Sequence, residues 1–359
     1  MKRIEFHDRE KETKEIHDIL DSEPSLITFV YGPINSGKTT LINNLIGQLP
    51  EEYAPFYINL RGRFITGYED FLNVLFEIDE GGATDNIGEY ATSILKDLKI
   101  LSGIPIPINL FEQIFEKKDK SKDMFRYIER FFTEISEKRI PLLIIDELQV
   151  IGDMKIDGHL VYKLFNFFVR LTKELHLTHI FVVTSDSLFV ERVYSEAMLS
   201  GRCRYLLVDD FDHGTTAAFL GKYDFTDDET EVAWEYCGGK PVCLVELMNY
   251  EYMEEKLREM LRIRRGQIDQ RIGVLQDVHK KVLFEGDKIE VTYDNVMEIL
   301  KRFSEDERYE YVRITPDMTY LIKENILFAD PANSILKPQS RMDLLAIREI
   351  LHRGGIEHI

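Results

Sequence analysis

Basic residues are in short supply in this chain: its 359 residues carry 45 Lys and Arg against 64 Asp and Glu, a formal net charge of −19. A field of that sign repels polyanions at long range, so nucleic acid could be held only by a local basic patch. Cysteine is scarce too. Cys203, Cys237 and Cys243 form no C-x-x-C pair; an odd count without metal-ligand spacing argues against a thiolate metal centre and reads as buried, reduced thiols. No run approaches the roughly 18 apolar residues of a membrane span, and the opening MKRIEFHDRE has no apolar h-region. A soluble cytoplasmic protein with no membrane partner is therefore expected. Apolar residues are plentiful at 44%, enough for a packed core, in a length worth about two domains of roughly 100–200 residues each.

The most informative stretch is FVYGPINSGKTTLINNL, residues 29–45. A turn between two core elements needs one or two turn residues, yet here Gly32-Pro33-Ile34-Asn35-Ser36-Gly37-Lys38-Thr39-Thr40 spells Gly-x-x-x-x-Gly-Lys-Thr, the phosphate-binding P-loop pattern. Its flanks agree. LITFVY (26–31) reads as a buried strand, and Leu41, Ile42 and Leu45 share one side of a following helix. Glycines let backbone N–H groups turn inward around phosphate oxygens at a helix N-terminus. Lys38 would reach the β- and γ-phosphates, and the Thr39 hydroxyl would bind Mg²⁺. A nucleotide is the expected ligand.

PLLIIDE (141–147) supplies a second, independent signal: an apolar strand ending in two acids, at the edge where open α/β sheets bind ligands. Asp146 can hold the metal, and Glu147 can orient or polarise an attacking water. Further strands are expected at FYINL (56–60), HIFVVTS (179–185) and RYLLVDD (204–210). Their continuous apolarity suggests a parallel sheet covered on both faces. Between the second and third strands lie a helix at 68–78, a Gly/Asp-rich break at 79–86, an extended piece at 103–108, a solvated loop at 116–123 and a helix at 123–136. After Asp210 the pattern turns helical, over 214–223, 227–237 and 240–261. Helices at 291–303 and 316–327, a hairpin at 326–338 and a last helix at 340–351 suit a winged-helix-like domain.

In this order of motifs the chain resembles the additional-strand P-loop ATPases, the class containing AAA+ and STAND proteins, and within it the archaeal ATPase family. The likeness extends over nearly the whole chain. It implies a P-loop ATPase domain over 1–210, with helices and a loop inserted at 61–140, a helical lid over 211–268 and a winged-helix-like domain over 269–359. The family's opening Phe-Gly-Arg-Glu motif stands here as Phe6-His7-Asp8-Arg9-Glu10, with Asp8 replacing the glycine, and implies that Arg9 contacts adenine or ribose. Thr184 and Ser185 end the fourth strand where relatives carry a polar sensor, usually Gly-Ser, which selects Ser185. Gly201-Arg202 resembles an element whose arginine stabilises transition-state charge, in cis or from a neighbouring subunit; a surface arginine is the alternative. Gly238-Gly239-Lys240-Pro241 resembles the Gly-x-Pro turn of STAND lids, which places Pro241 over the nucleotide.

Two function classes follow. One is an enzyme that hydrolyses Mg-ATP and couples hydrolysis to movement of the lid and the winged-helix domain. The other is a STAND-like switch with slow turnover. Oligomerisation is open in both. DNA-linked ATPase activity through the C-terminal domain is disfavoured, since the recognition-helix candidate PDMTYLIKENI offers one lysine against Asp317 and Glu324. Arg258, Arg262, Arg264, Arg265 and Arg271 look like a helix end and connection in a structural role, which leaves protein contacts as the expected use of the winged helix.

Overall fold

Runs of apolar residues with no polar alternation form strands covered on both faces. The computed structural model describes residues 6–81, 84, 86–96, 101–116, 120–151, 160–195, 199–250 and 252–354. Its first half runs α1 (Glu10–Leu20), β1 (Ile27–Tyr31), α2 (Lys38–Gln48), β2 (Tyr53–Asn59), α3 (Tyr68–Leu75), β3 (Phe76–Asp79), α4 (Ile87–Lys96), β4 (Ile104–Pro107), α5 (Ile108–Glu116) and α6 (Lys120–Ser136). There follow β5 (Ile140–Asp146), α7 (Leu160–Val169), β6 (His179–Thr184), α8 (Ser187–Ser195) and β7 (Cys203–Leu207).

The central sheet has the order β2-β5-β6-β1-β7, and each of its pairings is parallel. Strand β6 lies between β1 and β5, so the loop after β1 and the acids after β5 are separated by one strand. In register, Tyr31 stands beside Thr184 and Leu207, and Asp146 beside Val183 and Asn59. The C-terminal ends of the strands therefore share one edge. On one face Val30, Ile144 and Phe181 pack against Ile16 and Ile19 of α1 and Leu41, Ile42 and Leu45 of α2. On the other, Phe29, Ile145 and Val182 meet an aromatic layer of Phe131, Phe165, Phe168 and Phe189.

The second half comprises α9 (His213–Gly221), α10 (Asp227–Cys237), α11 (Pro241–Leu247), α12 (Met253–Asp277), β8 (Lys281–Phe284), β9 (Asp287–Glu290), α13 (Tyr293–Lys301), β10 (Tyr309–Glu310), α14 (Pro316–Lys323), β11 (Leu327–Asp330), β12 (Ile335–Pro338) and α15 (Arg341–Gly354). The order helix, helix, hairpin, helix is that of a winged-helix-like unit, with β10-β12-β11 as its antiparallel sheet. A Thr226–Glu229 capping box starts α10. Pro241 and Pro316 occupy first-turn positions of α11 and α14, where proline's missing N–H costs nothing.

Four local expectations change. Residues 76–79 leave the helix expected over 68–78 and pair in parallel with β4. Much of the solvated loop expected at 116–123 is helical, at the end of α5 and the start of α6; residues 117–119 lie outside the described residues, as do parts of the break at 79–86. The helix expected over 240–261 divides into α11 and α12. The arginines taken for a helix end and connection stand inside α12, a single 25-residue helix that runs through the expected boundary at 268. Among the described residues, no helix is long and apolar enough to cross a membrane.

Candidate nucleotide site

The loop between β1 and α2 turns on three residues. A Cβ on Gly32 would sit 2.1 Å from the carbonyl oxygen of Val208, so only glycine permits this close approach of backbone to backbone. Asn35 and Gly37 have φ of 60° and 95°, the left-handed conformation that turns successive N–H groups toward a common centre. Gly37 is the residue at the N-terminal boundary of α2, with Lys38 first in the helix and Thr39 and the exposed Thr40 in its first turn. Lys38 is buried and donates from Nζ to the carbonyl oxygens of Gly32 (3.0 Å) and Pro33 (2.7 Å) and to Ser36 Oγ (3.3 Å). Burial, and then the charge of Lys240, push its ammonium down to about 7.

At the end of β5, Asp146 is 1% exposed, and its Oδ2 accepts from Thr39 Oγ1 (3.0 Å) and from the Tyr57 hydroxyl (2.9 Å). Burial raises its pKa above the usual carboxylate range, against the lowering effect of those two donors. A buried carboxylate beside a helix-start hydroxyl is a donor set suited to Mg²⁺, which commonly takes one or two carboxylates plus substrate phosphates. Thr39 and Asp146 could thus hold a divalent cation. Glu147 follows with φ of 63°, uncommon for a non-glycine residue and a form of strain often met at functional sites. Its N–H donates to Val183 O (2.8 Å). Its carboxylate accepts from Arg61 and from Gln149 Nε2.

Arg9 is buried at the opposite side of the loop. Its guanidinium donates to Ser36 O (2.6 Å) and to Glu12 (2.8 Å) and lies 4.6 Å above the Phe211 ring. The preceding His7 packs edge-on to Phe211, and Asp8 accepts from Thr215 Oγ1 (2.7 Å). Pro241 starts α11 just after a tight turn, where a Cβ on Gly239 would lie 1.7 Å from Phe211 O. Residues 7–9, the loop and the turn at 238–241 therefore meet around Phe211.

The structure brings Arg9, Lys38, Thr39, Asp146 and Glu147 together and leaves Arg202 apart. Arg202 precedes β7, and its carbonyl accepts from the N–H of Ile27, the first residue of β1. It therefore sits at the N-terminal edge of the sheet, the length of a five-residue strand, about 17 Å, from the loop. Ser185 follows β6 at the correct edge, but the hydroxyl turned into the network belongs to Thr184, which donates to Gln149 Oε1 (2.8 Å). A line Thr184–Gln149–Glu147–Arg61 results. Sequence reasoning missed Tyr57, Arg61 and Gln149, and passed over Thr184 in favour of Ser185. Lys240, named only as part of its turn, is a further member: it is buried, pairs with Asp210 (2.8 Å) and donates to Ile34 O (3.0 Å).

Residues 6–247 match the family model described as the ATPase domain predominantly from Archaea. Residues 254–351 match that of the C-terminal domain of MJ1010-like uncharacterized ATP-binding proteins. An uncharacterized ATP-binding protein of Methanocaldococcus jannaschii is 44% identical over 97% of this chain and 98% of its own length. One from Pyrococcus abyssi is 46% identical over 97% and 98%. A solved Walker-type ATPase of Pyrococcus abyssi covers 97% of each chain with a TM-score of 0.59 at 16% identity, a likeness of fold.

Proposed function

The chain belongs to the ATPase family found predominantly in Archaea, and from that membership we propose that it binds Mg-ATP and hydrolyses it to ADP and phosphate. The observation that carries hydrolysis is the placement of Glu147. It lies next to the Asp146–Thr39 pair; Gln149, two residues on, donates to it, and Thr184 at the end of β6 holds Gln149. In this reading the loop's N–H groups and Lys38 hold the phosphates. Thr39 and Asp146 would hold Mg²⁺, which supplies Lewis-acid neutralisation of phosphate charge when bound. Glu147 orients a water and takes its proton. Arg9 and the Phe211 ring form the side on which the base would lie. Glu147→Gln, which keeps shape and removes the base, is the test: nucleotide affinity should survive and turnover should not.

A second reading, a slow nucleotide-gated switch, is favoured by one observation. The C-terminal domain sits directly on the site, with Asp330 accepting from the hydroxyl of Tyr31, the residue before Gly32 (2.6 Å). DNA binding finds less support. Arg264, Arg265 and Arg271 are engaged with Asp343, Glu349 and Glu324 of the C-terminal domain, and Arg258 with Glu254 on its own helix.

A further inference from the structure

We propose, resting on the ATP-binding reading above, that Lys240 and Gln339 are positioning residues of the phosphate-binding loop, through which the lid and the C-terminal domain set its hold on nucleotide. Two contacts from different parts of the chain converge on one residue at the tip of the loop. The N–H of Ile34 donates to Gln339 Oε1 (3.1 Å), just beyond β12. The carbonyl of Ile34 accepts from Lys240 Nζ (3.0 Å), at the start of α11.

Both partners are themselves fixed. Gln339 is buried, and its Nε2 donates to Leu327 O (3.0 Å), which leaves Oε1 facing the loop. Lys240 is buried and held by the Asp210 carboxylate (2.8 Å). The hairpin just before Gln339 is anchored at the root of the same loop through Asp330 to Tyr31, and on the adjoining strand end through Lys337 to Asp209, two residues beyond β7. Root and tip are thus gripped by one domain, and the tip by the lid as well. A cleft of about 540 Å³ opens onto Ile34, Lys240 and Gln339, so these contacts lie at a solvent-reachable seam rather than inside a core.

The chemistry follows from the geometry of the peptide. In a trans peptide the C=O and the next N–H point in opposite directions. Lys240, by holding the Ile34 carbonyl, therefore sets the direction of the Asn35 N–H. Gln339, by holding the Ile34 N–H, sets the direction of the Pro33 carbonyl, which accepts from Lys38 Nζ (2.7 Å). An anion nest works only while its N–H groups keep their directions, and Asn35 is in a left-handed conformation that its surroundings must maintain. Coupling of this kind is reciprocal: if the docked domain strengthens nucleotide binding, nucleotide must strengthen docking by the same factor.

The full-length chain tests this in two variants. Gln339→Leu removes the acceptor at similar volume. Lys240→Met, combined with Asp210→Asn, removes the other contact without leaving a buried charge unpaired. Affinity for a fluorescent ATP analogue should fall roughly fivefold to tenfold in each. Amide hydrogen exchange over residues 327–339 should slow when nucleotide is added to the wild type, and this response should vanish in both variants. Gln339→Met serves if Gln339→Leu does not fold. Wild-type affinity in the folded variants, or a nucleotide response at 327–339 that persists in them, overturns the positioning role and leaves ATP binding intact. A wild-type chain that takes up no nucleotide overturns the parent reading, and this one with it.

Discussion

Arg61 and Glu147 form an ion pair in which the guanidinium is 63% exposed and the carboxylate only 10%. The acid that the site would use as a base is thus occupied by a cation reachable from solvent, at the end of β2. The pair takes up one of the two carboxylate oxygens, Gln149 holding the other, so a water must compete with Arg61 for its base. Exposed pairs are worth at most about 1 kcal/mol, so removing Arg61 should raise turnover modestly, by roughly fivefold at most. Phosphate release by Arg61→Ala at saturating Mg-ATP measures it. A fall of more than about tenfold would mean that Arg61 acts on the nucleotide instead.

Lys38 makes nucleotide affinity depend on pH. Burial holds its ammonium down to about 7, whereas a bound phosphate favours the charged form and raises that value. Affinity should therefore be full below pH 7 and decline as pH rises from 7 toward the value in the complex, with proton uptake on binding. Without nucleotide the linkage concerns folding: the unfolded chain keeps the proton to higher pH, so stability grows as pH rises above 7. Titration calorimetry at pH 8 in two buffers of different ionisation heat should report the uptake. Flat affinity from pH 6 to 9 with no uptake would count against it.

How far the site was legible in the sequence depends on how its parts are arranged along the chain. Gly32 to Thr40 and the Asp146–Glu147 pair are contiguous, and each follows an apolar strand, so composition and order sufficed. Arg61 and Gln149 become part of one network only after β2, β5 and β6 assemble at one edge, and nothing local marks them. Thr184 and Lys240 stand in stretches that the motifs do mark, but which side chain of each stretch turns inward is decided by packing. Arg202 illustrates the converse: its place before β7 puts it at the far edge of the sheet, which spacing alone does not reveal. Phe76 and Ile78 continue the helical spacing of Phe71, Leu72 and Leu75, and pairing with β4 overrides that local pattern. The hairpin β8–β9 escaped because its second strand, DKIE, is exposed throughout, so no buried face imposes an alternation.

The arginines of α12 make a stability prediction. Arg264 donates from Nε to Asp343 Oδ1 (2.6 Å), and the two side chains are 20% and 6% exposed. Arg264→Leu leaves Asp343 buried without its cation and should cost about 3 kcal/mol. Adding Asp343→Asn should recover much of that loss, because the pair's attraction mainly offsets its own desolvation. Denaturant unfolding followed by a signal from the C-terminal half is the measurement. Equal stability of Arg264→Leu and wild type would show that the pair holds nothing together.

Hydrolysis is the central claim, and the comparison of wild type with Glu147→Gln in a single-turnover experiment tests it most directly. Each protein is mixed in excess with Mg-ATP, and bound nucleotide and released phosphate are followed in the same sample. A general base is worth roughly 10²–10⁴ in rate. The account predicts that the wild type converts its bound ATP to ADP, while Glu147→Gln binds ATP equally well and converts it at least about 100-fold more slowly. Equal conversion rates in the two proteins, or ATP recovered intact from the wild type, would contradict it.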